Sequence, residues 1–491
     1  MFETAEVGNR VEKAAYKREE AKLRERLLEA QKALAGSKLA VVVLVGGVEG
    51  AGKTHMVNQM LEWLDARGIE THAMGVPSDE ERERPPMWRF WRLLPPSGRM
   101  GIFLGSWYTG PIVGRAMGRL SGGAFDQAMD RIVAFEEMLG HESVLLVKFW
   151  LHLSKNLVKK RFEKLESDPL TAWRITKNDW KFFRRYDKFR AVSERALRKT
   201  GTGGSPWHIV EATDWRYRNL SVGRTLREAI AERLDQMAKA PKPERVPDRP
   251  KPPKVSVLRN LDLALSLSEA RYEKALEKLQ GELNRLSRRL YEKHRSVTVV
   301  FEGPDAAGKG GAIRRLMQGT DVRDTRVISI AAPTEEERAH PYLWRFWRHL
   351  PMLGKVTIYD RSWYGRVLVE RIEGFCAKAD WQRAYGEINA FEEQLTDFGI
   401  VLVKFWLAIT PEEQLRRFKD REVTPYKQYK ITEEDWRNRA KWDAYEAAAV
   451  EMFEKTSSAA APWVQVEAVD KNYARVKVLR TVVQRLKREL S

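Results

Sequence analysis

The chain has 491 residues, 43% of them apolar, one cysteine (Cys376) and a net charge of +19. That length suits two or three domains with sizeable cores, and a single cysteine excludes a disulfide scaffold and fits a reducing compartment. The basic balance favours polyanions without choosing among nucleic acid, nucleotides, inorganic polyphosphate and anionic lipid.

The opening MFETAEVGNRVEKAAYKREEAK has no apolar signal core. No stretch of the chain is apolar for long enough to span a bilayer, so no membrane span is predicted and the cytosol is the expected location. The first strand signal is LAVVVLVGG at 39–47, running into the glycine-rich turn GVEGAGKT at 47–54, which fits G-x-x-x-x-G-K-[ST] in full. Next come MWRFWRLLP (87–95), FLGSWY (103–108), VLLVKFWLHLS (144–154), Trp180, Pro206-Trp207 and Asp214. The segment AKAPKPERVPDRPKPPK, 238–254, is rich in proline and charge, and it is predicted to be a semi-rigid spacer.

Beyond it the chain repeats itself at a constant offset of 256: LWRFWRHLP at 343–351, YDRSWY at 359–364, IVLVKFWLAIT at 400–410, Trp436, Pro462-Trp463 and Asp470. One offset held across so many tryptophans excludes chance, and so long a period means duplicated domains. The predicted parts are 1–237, a linker at 238–254, and 255–491.

In the second copy, Leu276, Leu279, Leu283, Leu286 and Leu290 recur at helical spacing. Strands are predicted at SVTVVFEG (296–303), TRVISI (325–330), KVTIYD (355–360), GIVLVKFWLAI (399–409) and WVQVEAV (463–469), with a helical insertion over roughly 411–455. Short apolar strands alternating with helices predict a mostly parallel sheet covered on both sides, a three-layer α/β domain in each copy. The seventeen tryptophans recur at secondary-structure spacing, which assigns most of them to packing and not to base stacking.

GPDAAGKGG, 303–311, lies in a strand–turn–helix setting, where backbone N–H groups can face one anion and Lys309 adds a mobile charge. Gly310 stands where the general pattern has Ser or Thr. Asp360 closes a predicted strand at the edge where ligands bind in open α/β sheets. It could hold magnesium or accept a proton, with helix capping as the bland alternative. Asp305 offers a second carboxylate. The first copy has Leu104 for Asp360, Glu49 for Asp305, Gly105 for Arg361 and Gly114 for Glu370, so the second copy is predicted catalytic and the first structural or binding.

GPDAAGKGG followed by YDRSWYGR resembles the second family of polyphosphate kinases, as do EEQLRRFKDREVTPYKQYKITEEDW, RAKWDAYEAA and APWVQVEAVDK. The resemblance covers nearly all of 255–490 and, more weakly, 1–235. It implies two tandem P-loop kinase-like domains with helical lids, Mg²⁺ as cofactor and inorganic polyphosphate as donor. Members with two fused copies phosphorylate AMP, which makes AMP the expected acceptor, with ADP or GDP as the alternative.

Residue by residue, the resemblance implies Asp305 near the acceptor phosphate, and Gly303, Gly308, Lys309 and Gly310 cradling the transferred phosphate. It also implies Mg²⁺ on Asp360 with Asp305, Arg361 neutralising developing charge, and Glu370 as a further acidic group. Arg417 and Arg421, four apart in the charge-dense insertion with Lys427 and Lys430, are expected on one lid face toward polyphosphate; Arg366 is taken as a further phosphate ligand. Arg345 and Arg348 are candidates for acceptor phosphate, with a surface salt bridge as the rival. An ATP-dependent nucleotide kinase and a non-catalytic nucleic-acid binder are the competing functions, and no specific nucleic-acid or membrane partner is expected. A homodimer is left open.

Overall fold

A computed structural model describes residues 1–201, 203–241 and 243–491, with Lys430 described in its backbone alone. Among the described residues ten strands form in chain order: β1 Ala40–Gly47, β2 Ile69–Ala73, β3 Met100–Leu104, β4 Val144–His152, β5 Trp207–Glu211, β6 Ser296–Glu302, β7 Thr325–Ser329, β8 Val356–Asp360, β9 Ile400–Ala408 and β10 Trp463–Glu467. They make two five-stranded sheets, ordered β2-β3-β1-β4-β5 and β10-β9-β6-β8-β7. Every pairing is parallel, so the expected mostly parallel sheets are parallel throughout. The central strands β1 and β6 are Val-rich and buried on both faces, the pattern that parallel sheets under helices require.

The register brings chemistry to one edge. Phe301 is level with Asp360 and Glu302 with Trp406, so β6 and β8 end within a residue of each other while β9 runs on to Ala408. On one face, helices Glu269–Ser287 and Lys471–Glu489 bury Leu279, Leu283, Val478, Leu479 and Val482 against the sheet. The other face carries an aromatic cluster in which Trp363 packs edge-on against Phe391. The insertion after β9 consists of helices Pro411–Val423, Glu433–Arg439 and Trp442–Thr456, with a 3₁₀ turn at Pro425–Lys430.

The chain resolves into two compact units. The first holds Met1–Pro77, Met87–Pro241 and Pro333–Arg345, and the second holds Ser78–Pro86, Lys242–Ala332 and Phe346–Ser491. Each unit therefore contains one repeat less a short piece, plus the corresponding piece of the other repeat. Inside the second unit, Leu353 N–H donates to Glu83 O (3.1 Å) and Arg84 Nε to Leu350 O (3.2 Å).

The stretch read as a spacer is more engaged than its composition suggests. Helix Trp215–Lys239 runs into it. Asp248 N–H donates to Arg371 O (3.1 Å), and the Asp248 carboxylate accepts from Arg371 Nε (2.6 Å). Lys242, in the same stretch, lies outside the described residues. Among the described residues no helix is long and apolar enough to cross a membrane.

Candidate active site

The phosphate loop of the second unit leaves β6 at Gly303 and enters helix Lys309–Gln318 through Gly308. Both glycines have positive φ, +137° and +108°, and a Cβ on Gly303 would lie 2.5 Å from Leu407 O, so β9 leaves no room for a side chain there. Gly310 is different. Its surroundings are open, and nothing in the backbone demands glycine.

The Lys309 ammonium folds back on the loop, donating to Gly303 O (2.7 Å) and Pro304 O (3.1 Å). Burial pushes its pKa down, against the pull of Asp305 and Asp360. Asp305 lies at the centre of the site. One oxygen accepts from Arg361 Nη2 (2.7 Å), the other from Asn438 Nδ2 (2.9 Å), and its backbone carbonyl accepts from Gln414 Nε2 (3.1 Å). Burial works to raise the Asp305 pKa, but the Lys309 and Arg361 charges and these hydrogen bonds outweigh it, so the carboxyl is held below its ordinary value.

Arg361 adopts φ +63°, in the left-handed region that non-glycine residues avoid. The first copy keeps the same backbone form with Gly105, φ +83°. The turn thus has one shape in both copies, and only in the second does it bear a side chain, at a steric cost. Asp360, at the end of β8, is half-buried and its carboxylate accepts no hydrogen bond among the described residues.

Glu302, unremarked in the sequence, also belongs here. It is buried at the tip of β6, accepts from Ser362 Oγ (2.8 Å), and burial pushes its pKa up. Its counterpart is Gly46, where a Cβ would sit 3.1 Å from the Trp150 ring. Gln414 and Asn438 were likewise missed; their counterparts are Val158 and Phe182. Positions that are polar in one copy and apolar or glycine in the other were the signal that could have found all three.

Other expected residues fall elsewhere. Arg417 does not sit on an outward lid face. It is buried under the loop, donating to Ala306 O, Ala307 O, Ala468 O and Val469 O at 2.7–3.0 Å and pairing with Glu413. Only a guanidinium carries enough donors to satisfy that many carbonyls, so this residue braces the loop from behind. Arg421 is half-buried on the same helix, and the Lys430 side chain lies outside the described residues. Arg366 and Glu370 pair with each other (3.0 Å). Arg345 is buried in the first unit beside Glu337 (3.3 Å), and Arg348 is exposed in the second. Cys376 is buried, and burial pushes its thiol up to about 12, unsuited to nucleophilic attack.

The two SWY segments have a shared structural task. Trp363 Nε1 and Tyr364 OH donate to Glu392 (2.9 and 2.5 Å), whose other oxygen takes Lys404 Nζ (2.7 Å). Trp107, Tyr108, Glu136 and Lys148 repeat this network in the first unit. There, however, Lys53 is neutralised by Glu49 (3.1 Å), and Arg218 is buried against the loop, its Nη1 only 2.2 Å from where a Gly52 Cβ would stand.

A cavity of 290 Å³ opens in the second unit, polar at Glu302, Asp305 and Arg361 and apolar along Leu368, Val369 and Trp406. Among the described residues no three His, Cys, Asp or Glu side chains gather as a metal site. Asp360 has uncommitted oxygens, whereas those of Asp305 are engaged. That donor set fits an ion arriving on phosphates and taking one or two carboxylates, as Mg²⁺ does.

A family model described as Polyphosphate kinase 2 (PPK2) matches residues 10–238 and again 266–491. The chain is 52% identical to the polyphosphate:AMP phosphotransferase of Pseudomonas aeruginosa over 98% of both chains. It is 48% identical to the protein of that name from Pseudomonas syringae pv. tomato, over 99% of this chain and 98% of that one. A crystal structure of a polyphosphate kinase 2 from Pseudomonas aeruginosa superposes with a TM-score of 0.88 at 49% identity, covering 100% of this chain and 99% of that one.

Proposed function

The chain belongs to the polyphosphate kinase 2 family, and on that premise we propose that it moves the terminal phosphoryl group of inorganic polyphosphate to AMP, giving ADP. The observation that carries the reading is the second unit's cavity, whose charged end meets the phosphate loop and whose walls are apolar. A nucleoside monophosphate has the same polarity, a dianionic end on a largely apolar base and sugar.

In the proposed reaction an oxygen of the AMP phosphate attacks the terminal phosphorus of the chain. The bond from that phosphorus to its bridging oxygen breaks, and the shortened polyphosphate leaves as an anion. Arg361 binds the acceptor phosphate beside Asp305 and offsets charge as it develops. Lys309 exchanges its two loop carbonyls for donor phosphate oxygens, and the N-terminus of helix Lys309–Gln318 adds backbone N–H groups. Asn438 and Gln414 tie the insertion to Asp305, so closing the lid and ordering the carboxylate are one event, with water excluded from the transferred group. A divalent cation, in our reading Mg²⁺ held by Asp360, would supply neutralisation of the phosphate oxygens. A cytoplasmic location goes with this reading, since both substrates are intracellular anions.

The test is a donor and acceptor matrix on the full chain. Polyphosphate with AMP is expected to be the preferred pair over ATP as donor and over ADP or GDP as acceptor. Asp360→Asn is expected to lower turnover by about 100-fold or more, while Lys53→Ala stays within about twofold. The reverse ranking of these two variants would sink the assignment of the second unit as the active one.

A further inference from the structure

One wall of the cavity does not come from the family's matched residues. Leu258, Arg259, Leu261 and Leu263 line it, and they lie between the two stretches that the family model matches, 10–238 and 266–491. The segment is held in place at several points. Ser256 is buried, and its Oγ accepts from Arg259 N–H (3.3 Å). Arg259 Nε pairs with Glu446 on the lid (2.7 Å), and Leu267 N–H donates to Asp470 (3.2 Å).

The first copy has the same segment, put to another use. Its counterpart begins at the N-terminus, where Glu3 pairs with Arg190, the Arg259–Glu446 pair with its charges exchanged. Val11 N–H reaches Asp214 as Leu267 reaches Asp470. Phe2, the counterpart of Leu258, is fully buried, stacked on His152 (centroids 4.6 Å apart) and near Trp150 (5.9 Å). In the second copy those partners are Ala408 and Trp406, and the smaller Leu and Ala leave the cavity open beside the tryptophan.

We propose that residues 256–263 are the specificity-determining wall of the acceptor site, closing over the nucleobase of a nucleoside monophosphate. The proposal rests on the acceptor being a nucleotide, as argued above. Its chemistry is that of an apolar slot. The leucines and the indole faces of Trp406 and Trp442 offer flat, dry surface to an adenine ring, and the Arg259–Glu446 pair fixes the distance between wall and lid. At 290 Å³ the space is at the small end of ligand pockets, which run from about 300 Å³ upward, so modest changes in wall volume are felt. The wall touches substrate without reaching the transferred phosphorus, so its effects belong in KM for AMP.

The test uses the full chain, varying AMP and polyphosphate in turn, with donor-free AMP binding followed by tryptophan fluorescence. Leu261→Trp is expected to raise KM for AMP and weaken AMP binding by about tenfold or more, with KM for polyphosphate and kcat at saturating AMP within about twofold. Arg259→Ala removes a half-exposed ion pair without disturbing the core, and it is expected to raise KM for AMP by roughly three- to tenfold, with Arg259→Lys recovering most of the loss. Should Leu261→Trp fail to fold, Arg259→Ala decides. Unchanged KM for AMP, or a fall in kcat alone, overturns the wall. Wild-type chain that binds AMP, more weakly in Leu261→Trp, yet takes no phosphate from polyphosphate would overturn the proposed function and leave the wall standing.

Discussion

Arg361 holds its side chain at a turn whose backbone favours glycine. Its left-handed φ costs roughly 1–2 kcal/mol relative to glycine, and its ion pair with Asp305 returns part of that. Arg361→Gly, the first copy's own solution, is expected to leave the unfolding free energy within about 1 kcal/mol while turnover falls by about 100-fold or more; urea titration and steady-state rates read the two effects separately. Lys309 gives a pH dependence. Burial lowers its pKa, so the ammonium is lost as pH rises through a value below that of an ordinary lysine. The kcat/KM for polyphosphate, which reports the free enzyme, is expected to fall on that alkaline side, and Lys309→Arg should move the limb upward. Lys309, Asp305 and Asp360 were legible from sequence because loop and strand-end positions are local. Arg417 was not. Spacing placed it on a helix face, but which face meets two carbonyls of the loop and two just after β10 is settled by packing from residues more than 50 positions away.

At the scale of elements, the duplicated SWY segment is explained by what lies beneath it. The Lys404–Glu392 pair is fully desolvated and holds the turn that carries Asp360 and Arg361. Removing one partner strands the other charge, so Lys404→Met is expected to cost about 3–5 kcal/mol, and the double variant Lys404→Met/Glu392→Leu clearly less. The midpoint of urea unfolding checks both. Equal losses for Lys148→Met would show that the network serves the fold in both copies. The strands read in the second copy were placed to within two residues, because short runs rich in Val and Ile carry their own signal. The spacer at 238–254 is more engaged than its composition suggested, for the converse reason. Its proline and charge say that it cannot form a core, but they are silent on whether Asp248 and Leu258–Leu263 dock on one built by other residues.

At the scale of the whole molecule, the first copy differs from the second at several independent positions around the loop and strand ends. Restoring its chemistry with Glu49→Asp, Leu104→Asp and Gly105→Arg in an Asp360→Asn chain is expected to recover less than about 1% of wild-type turnover. Phe2 is still buried at the position where Leu258 lines the second copy's cavity, Trp150 still crowds Gly46, and Phe182 and Val158 still stand in place of Asn438 and Gln414. Recovery above about 10% would show that the three ligand positions alone separate the copies. By itself the sequence determined the duplication, the two parallel sheets, the phosphate loops and which half retains the carboxylates, since each of these is written in periodicity or in a short contiguous motif. Only the tertiary structure decided that Glu302 and Asn438 come together with Asp305 and Ser362 at the strand ends, that Arg417 braces the loop from beneath, and that Leu258, Arg259, Leu261 and Leu263 line the cavity. The units also trade short pieces of sequence. Such outcomes depend on which surfaces meet across hundreds of residues, and the free energy of burial, which chooses among them, is not stored in any one stretch of the chain.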